Sequence, residues 1–114
     1  MMKQKNVVPL SVAKFLRKNF EFRENTLYVY NNSREDLRFS LDPSISNQIS
    51  APYVYDAIEF LWIMGLKIYY VPEPGTEYCK GVIEAGRKKQ ILPSCYESPQ
   101  DALLGCLIYL SKLK

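Results

Sequence analysis

Apolar positions along this chain keep changing their spacing, and the sharpest change falls in the stretch APYVYDAIEFLWIMGLKIYYVPEPG, residues 51 to 75. Val54, Ala57, Ile58, Leu61 and Trp62 recur at helical spacing and predict one continuous apolar stripe. Ser50 suits the N-cap and Pro52 the first turn, where a missing N–H does no harm. Gly65 stands where a chain leaves a helix through a left-handed residue. From Leu66 the period becomes two, with Leu66, Ile68 and Tyr70 on one side and Lys67, Tyr69 and Val71 on the other. PEPG then closes the strand.

The part of that stretch from residue 53 to 72 is long enough to be tested as a membrane span. It contains Asp56, Glu59 and Lys67. Each central charge costs roughly 2.5–3.5 kcal/mol, and each large aliphatic residue returns only about 0.3–0.6 kcal/mol. The charges win, so a helix and a strand inside a soluble core are expected.

Elsewhere the pattern is weaker. PLSVAKFLRKNF predicts a helix starting near Pro9 to Ser11, with Val12, Phe15, Leu16 and Phe20 apolar and Lys14, Arg17 and Lys18 as a basic side. TLYVYNN and EDLRFSL predict two strands around an NNSR turn, Leu37, Phe39 and Leu41 alternating in the second. DPSISNQIS is polar and rich in turn formers, which predicts a linker inside the domain. EYCKGVIEA predicts a strand that Gly81 weakens or bulges. GRKKQ predicts a turn before a short strand, QIL, that Pro93 stops. ESPQDALLGCLIYLSKLK predicts a final helix capped by Ser98, with Pro99 first and Ala102, Leu103, Cys106, Leu107 and Leu110 buried.

The expected order is α-β-β, then α-β-β-β-α. Helices and strands do not alternate strictly and hairpins are frequent, so the class is α+β with a mostly antiparallel sheet packed by helices. At 114 residues one domain is expected, residues 1–114, with an α-β-β half over 1–50 and an α-β-β-β-α half over 51–114. AKFLRKNFEF and IEFLWIMGLKIY share a faint echo, each a helix leading into an extended segment.

VPLSVAKFLRKNFEF, ISAPYVYDAIEFLW with LKIYYV, and YESPQDALLGCLIYLSKLK, taken in that order, resemble short uncharacterised proteins of Bacteroides-group bacteria and of their prophages and phages. Those proteins show a helix close to S-x-x-V-A-K-L-L-K-E-K-G-F, a S-A-P-T helix ending in W-L-R, a strand like I-H-I-x-I, and a last helix introduced by Y-x-S-Y-E-E-A-L. Here Asn19 stands in place of the usual Gly before Phe20, Ile63 and Met64 follow Trp62 where charge is common, and LKIYY lacks the frequent His. The shared motifs are structural, so the resemblance implies a small protein of a phage or mobile element and no catalytic residues.

Composition narrows the chemistry further. The chain has no histidine, which removes the commonest general base and the usual zinc and thiol partner. No metal, cofactor or catalytic residue is expected, and a binder is expected in preference to an enzyme. Asp56 and Glu59 read as the solvated edge of a helix. Cys79, Cys95 and Cys106 lack C-x-x-C spacing and suit reduced thiols in the cytoplasm; Cys106 reads as a small hydrophobe and Cys95 as exposed in a loop. Gly75, Gly81 and Gly86 form no phosphate-binding loop. MMKQKNVVPLS lacks the apolar run of a signal peptide.

Fifteen basic against twelve acidic residues leave a net charge of +3, too small for an obvious nucleic-acid face. Arg87, Lys88 and Lys89 form the compact basic cluster, and with some of the nine tyrosines they make weak nucleic-acid binding the alternative function. The leading expectation is a protein-interaction or adaptor module. Its partner is another protein or a second copy, recruited at a sheet edge or a tyrosine-rich strand.

Overall fold

The structure is a computed structural model and describes residues 7–22, 26, 28–31, 37–39 and 48–113. The fold is α+β, with the elements in the predicted order and one strand more. They are α1 (Leu10–Phe20), β1 (Tyr28–Asn31), β2 (Leu37–Phe39), β3 (Gln48–Ala51), α2 (Val54–Ile63), β4 (Leu66–Pro72), β5 (Cys79–Ala85), β6 (Lys88–Tyr96) and α3 (Pro99–Leu113). In place of a single sheet there are two three-stranded antiparallel ones, ordered β2-β1-β3 and β4-β5-β6. The chain divides into two compact units, 1–53 with 110–114 and 54–109.

In the first unit, α1 buries Leu10, Val12, Ala13 and Leu16, so Val12 and Leu16 pack as expected, whereas Phe15 and Phe20 are only half-buried, their rings in edge contact with each other. Arg17 and Lys18 occupy its last turn, where cations suit the helix dipole. The helix packs beside β3, and Arg17 donates from its guanidinium to the Gln48 carbonyl at 2.8 Å. The buried Tyr30 hydroxyl donates to the Val8 carbonyl at 2.7 Å and ties β1 to the chain entering α1.

β3 corrects the linker reading of residues 42–50, because Gln48 to Ser50 are strand; 42–47 lie outside the described residues. Tyr28 pairs with Ala51 and Val29 with Ser50, so Ser50 is a ladder residue and caps no helix. The reason lies in Pro52. A proline pushes the residue before it into the extended region, which continues the strand through Ala51. The Pro52 carbonyl then accepts the Val8 N–H at 3.0 Å, and Tyr53 bridges Val7. With those backbone groups already partnered, α2 begins only at Val54. The NNSR turn beyond Asn31 and the position of Leu41 lie outside the described residues.

In the second unit, Val54, Ala57, Ile58 and Leu61 are buried as expected. Gly65 then takes φ +96, its N–H bonded to the Trp62 carbonyl at 3.0 Å, and β4 starts at the next residue. The most apolar segment is thus a helix, a left-handed turn and a strand. Gly86 supplies φ +63 at the first position of a two-residue hairpin, while Arg87 stays at negative φ, the type II′ pattern that matches strand twist.

Pro93 does not stop the last strand, which runs to Tyr96. β6 is an edge strand, and the β5–β6 register shifts between Lys80 and Val82, opposite the segment that contains Pro93. A residue without an N–H costs little at an irregular edge position. Gly81 sits at the same irregularity, as its bulge reading predicts. A Cβ on Gly81 would lie 2.3 Å from the Cys106 sulfur and 2.9 Å from the Ala102 carbonyl oxygen. The missing side chain is therefore what seats α3 on this sheet. Ser98 caps α3, its hydroxyl accepting the Asp101 N–H at 3.1 Å, and all five predicted core residues of the helix are buried.

Candidate functional site

The side chains that sequence alone marks for chemistry do not converge. Register decides this for the basic cluster. Lys88 pairs with Ala85 and Lys89 with Glu84, so the two lysines project from opposite faces of the sheet. Lys88 shares its face with Ile83, Gly81 and Gln90, the face on which α3 lies; Gln90 donates to the Tyr109 hydroxyl there at 2.8 Å. On the other face Glu84 lies opposite both Lys67 and Lys89, a plus-minus-plus row across the three strands. Arg87 occupies the exposed hairpin tip. The triplet is contiguous in sequence and divided in space.

The adjacent Tyr69 and Tyr70 also face opposite ways, Tyr69 beside Val82 and Tyr70 beside Gly81. Tyr28 and Tyr30 are buried in the first unit. The tyrosines are therefore divided between strands and helices, Tyr55 on α2 and Tyr109 on α3, and Tyr69 and Tyr70 form no one-sided stacking platform in the second sheet.

The cysteines also stay apart. All three are free thiols. Cys95 is exposed on β6, a strand and not the expected loop. Cys79 is buried at the start of β5, its thiol 3.6 Å from the Tyr96 carbonyl. Burial pushes the Cys106 thiol up to about 11, a weak contact with the Val82 carbonyl notwithstanding. Cys106 is thus a protonated core residue at neutral pH. Among the described residues no group of His, Cys, Asp and Glu could hold a metal ion, and no helix is long and apolar enough to cross a membrane.

The feature that sequence reasoning missed is the outer side of α2. Trp62 belongs by spacing to the buried stripe, yet it is 45% exposed. Its indole N–H donates to the Ile68 carbonyl of edge strand β4 at 2.9 Å, and the Lys67 ammonium sits 5.7 Å from the ring centroid. The ring is thus tied to the edge strand by its N–H while close to half of the residue stays exposed. Next to it Ile63 is 78% and Met64 52% exposed, and two turns earlier Tyr55 is 55% exposed. Tyr55, Glu59, Trp62 and Ile63 stand at i, i+4, i+7 and i+8 and share one side of the helix. Asp56 and Glu59 supply exposed carboxylates beside them.

Two backbone partners fix this patch. Met64 N–H bonds to the Phe60 carbonyl at 3.1 Å, holding the last turn closed, and Gly65 reverses the chain straight into β4. The apolar cluster is consequently carried on a rigid corner. The available signal was the phase: Ile63 and Met64 fall outside the buried stripe of Val54, Ala57, Ile58 and Leu61.

Compared with protein-family models, with curated proteins and with solved structures, the chain matches none.

Proposed function

We propose that this protein is a protein-interaction module and that it recruits its partner on the outer side of α2. The observation that carries the reading is the run Trp62, Ile63 and Met64, three consecutive large apolar side chains held open to solvent. Single exposed hydrophobes are ordinary, but contiguous ones on a rigid corner are characteristic of docking surfaces. Tryptophan and methionine are enriched at the centres of interfaces. The carboxylates of Asp56 and Glu59 border the patch, so the matching partner surface is an apolar groove with a basic rim.

A helix face is favoured over strand addition by the state of the second sheet's edges. Trp62 occupies the Ile68 carbonyl on β4, and Pro93 interrupts the donors of β6. The resemblance to short phage and prophage proteins supports placing the partner among the proteins of a mobile element. The three free thiols support a cytoplasmic setting.

The test uses the full chain carrying a photo-crosslinking residue at position 63, expressed in its native host. A protein crosslinked there is then purified and titrated against the wild type and against Ile63→Glu/Met64→Glu. The expected result is at least about a tenfold loss of affinity in the double variant, since central apolar anchors contribute 2 kcal/mol or more. Equal binding by both proteins would overturn the reading. So would the absence of any crosslink together with a monomeric mass at high concentration.

A further inference from the structure

The basic side of α1, which the docking reading leaves unused, lines a cleft of about 380 Å³ in the first unit. Its walls are Ser11, Lys14, Phe15, Lys18 and Asn19 from α1 and Ser111 from the last turn of α3. The five α1 residues stand at i, i+3, i+4, i+7 and i+8, a complete helical stripe distinct from the buried stripe of Val12, Ala13 and Leu16.

We propose that this cleft binds a phosphate monoester bearing an aromatic group. Four features favour that chemistry. The volume lies within the roughly 300–1,000 Å³ of small-molecule sites. Lys14 and Lys18, four residues apart on one face, repel each other, and no carboxylate is among the described residues that line the cleft. A phosphate monoester carries about −1.5 to −2 at neutral pH, which matches two ammonium groups where a single carboxylate would match one. Phe15 adds an apolar wall beside the charges: it is half-buried, and its ring is steadied by an edge contact with Phe20, centroids 5.7 Å apart at 70°. Ser11 and Ser111 border the same space, and the exposed Ser11 hydroxyl can donate to a phosphate oxygen.

The cleft is open and its lysines are exposed, so binding depends on salt and weakens as ionic strength screens the pair. The proposal stands apart from the α2 patch, since none of the cleft residues belongs to α2.

Titration of the full ¹⁵N-labelled chain with adenosine 5′-monophosphate at low salt tests it, with adenosine and inorganic phosphate as the two partial probes. The expected result is amide shifts centred on residues 11–19 and 111. Affinity for the monophosphate should exceed that for either partial probe by about tenfold, the worth of one charge-assisted hydrogen bond. Lys14→Gln and Lys18→Gln each should weaken binding by about tenfold. Glutamine keeps the helix propensity of lysine, and unchanged far-ultraviolet dichroism confirms that the fold is retained. Ile63→Glu should leave the titration unchanged, which separates failure here from failure of the docking reading. No shift at millimolar monophosphate would overturn the proposal. Adenosine binding as tightly as its monophosphate, or shifts centred on Arg87 to Lys89, would overturn it equally.

Discussion

The two units use the same parts in different ways. Each sets a helix ahead of three antiparallel strands, but in the first unit β1 is central and pairs with both β2 and β3, whereas β4, β5 and β6 form a simple meander. The strands of the first unit are three or four residues long and those of the second seven to nine. Sequence-neighbour pairing through a two-residue turn lets the second sheet form from local contacts. The first must bring β3 back across a longer loop, which is entropically slower. The echo between AKFLRKNFEF and IEFLWIMGLKIY therefore marks two helix-to-extended transitions, not a repeated topology.

What holds each sheet to its helix also differs. In the second unit the link is steric: the backbone of Gly81 lets α3 approach. Gly81→Ala should accordingly be the most damaging small change, because the new methyl meets the Cys106 sulfur and the Ala102 backbone. Overpacking of this kind costs typically 1–3 kcal/mol, and about 3 kcal/mol is expected by urea unfolding. Gly105→Ala is the control. There the added carbon meets the hydroxyl oxygen and nearby ring carbons of Tyr96, a side chain that can swing aside where backbone cannot, and the helix gains propensity. Equal losses from both variants would break the distinction.

The same packing has a pH signature. Cys106 titrates near 11 in the fold and at 9.0 when exposed. A thiol whose pKa is raised by folding contributes its full stability below pH 9 and loses it as pH rises toward 11. The gap corresponds to about 3 kcal/mol. Wild type should therefore lose more stability between pH 8 and 11 than Cys106→Ala does, other alkaline titrations being common to both. Parallel curves would contradict the buried, protonated assignment.

In the first unit the link is polar. Tyr30→Phe removes the hydroxyl that donates to the Val8 carbonyl and leaves that oxygen short of a partner, at a cost of about 1 kcal/mol measured by thermal unfolding. The smallest effect concerns the exit from α1. Glu21 holds φ +52 in the left-handed region, and the Leu16 carbonyl accepts the Phe22 N–H at 3.2 Å just beyond it. A non-glycine residue there is strained, so Glu21→Gly should raise stability by about 0.5 kcal/mol. A loss in that variant would mean that the Glu21 side chain makes a contact outweighing the backbone strain.

The contrast also explains how much could be read from sequence. α2, Gly65, β4, the Gly81 bulge and the capped α3 follow from local pattern: long stripes, a left-handed glycine and a Ser-Pro start. In the first unit the strands are too short for alternation to register. Ser50 and Pro52 imitate a helix start because their alternative, pairing with Val29 and with the Val7–Val8 segment, is non-local. Pro93 misled for a related reason, since only the strand order shows that it lies on an edge. The apolar corner of α2 escaped because spacing assigns Trp62 to the buried side, and what turns it outward is a hydrogen bond to a neighbouring strand. The cleft beside α1 was half legible: its basic face is in the sequence, while Ser111, nearly a hundred residues away, is not.

α2 ends in an open apolar corner, and Trp62, the single tryptophan of the chain, reports on its exposure. Acrylamide quenching of its fluorescence in the free protein should be efficient, comparable in order to that of a free tryptophan analogue, with emission shifted toward the solvent-exposed range. Blue-shifted emission that acrylamide barely quenches would show the corner closed and contradict the account.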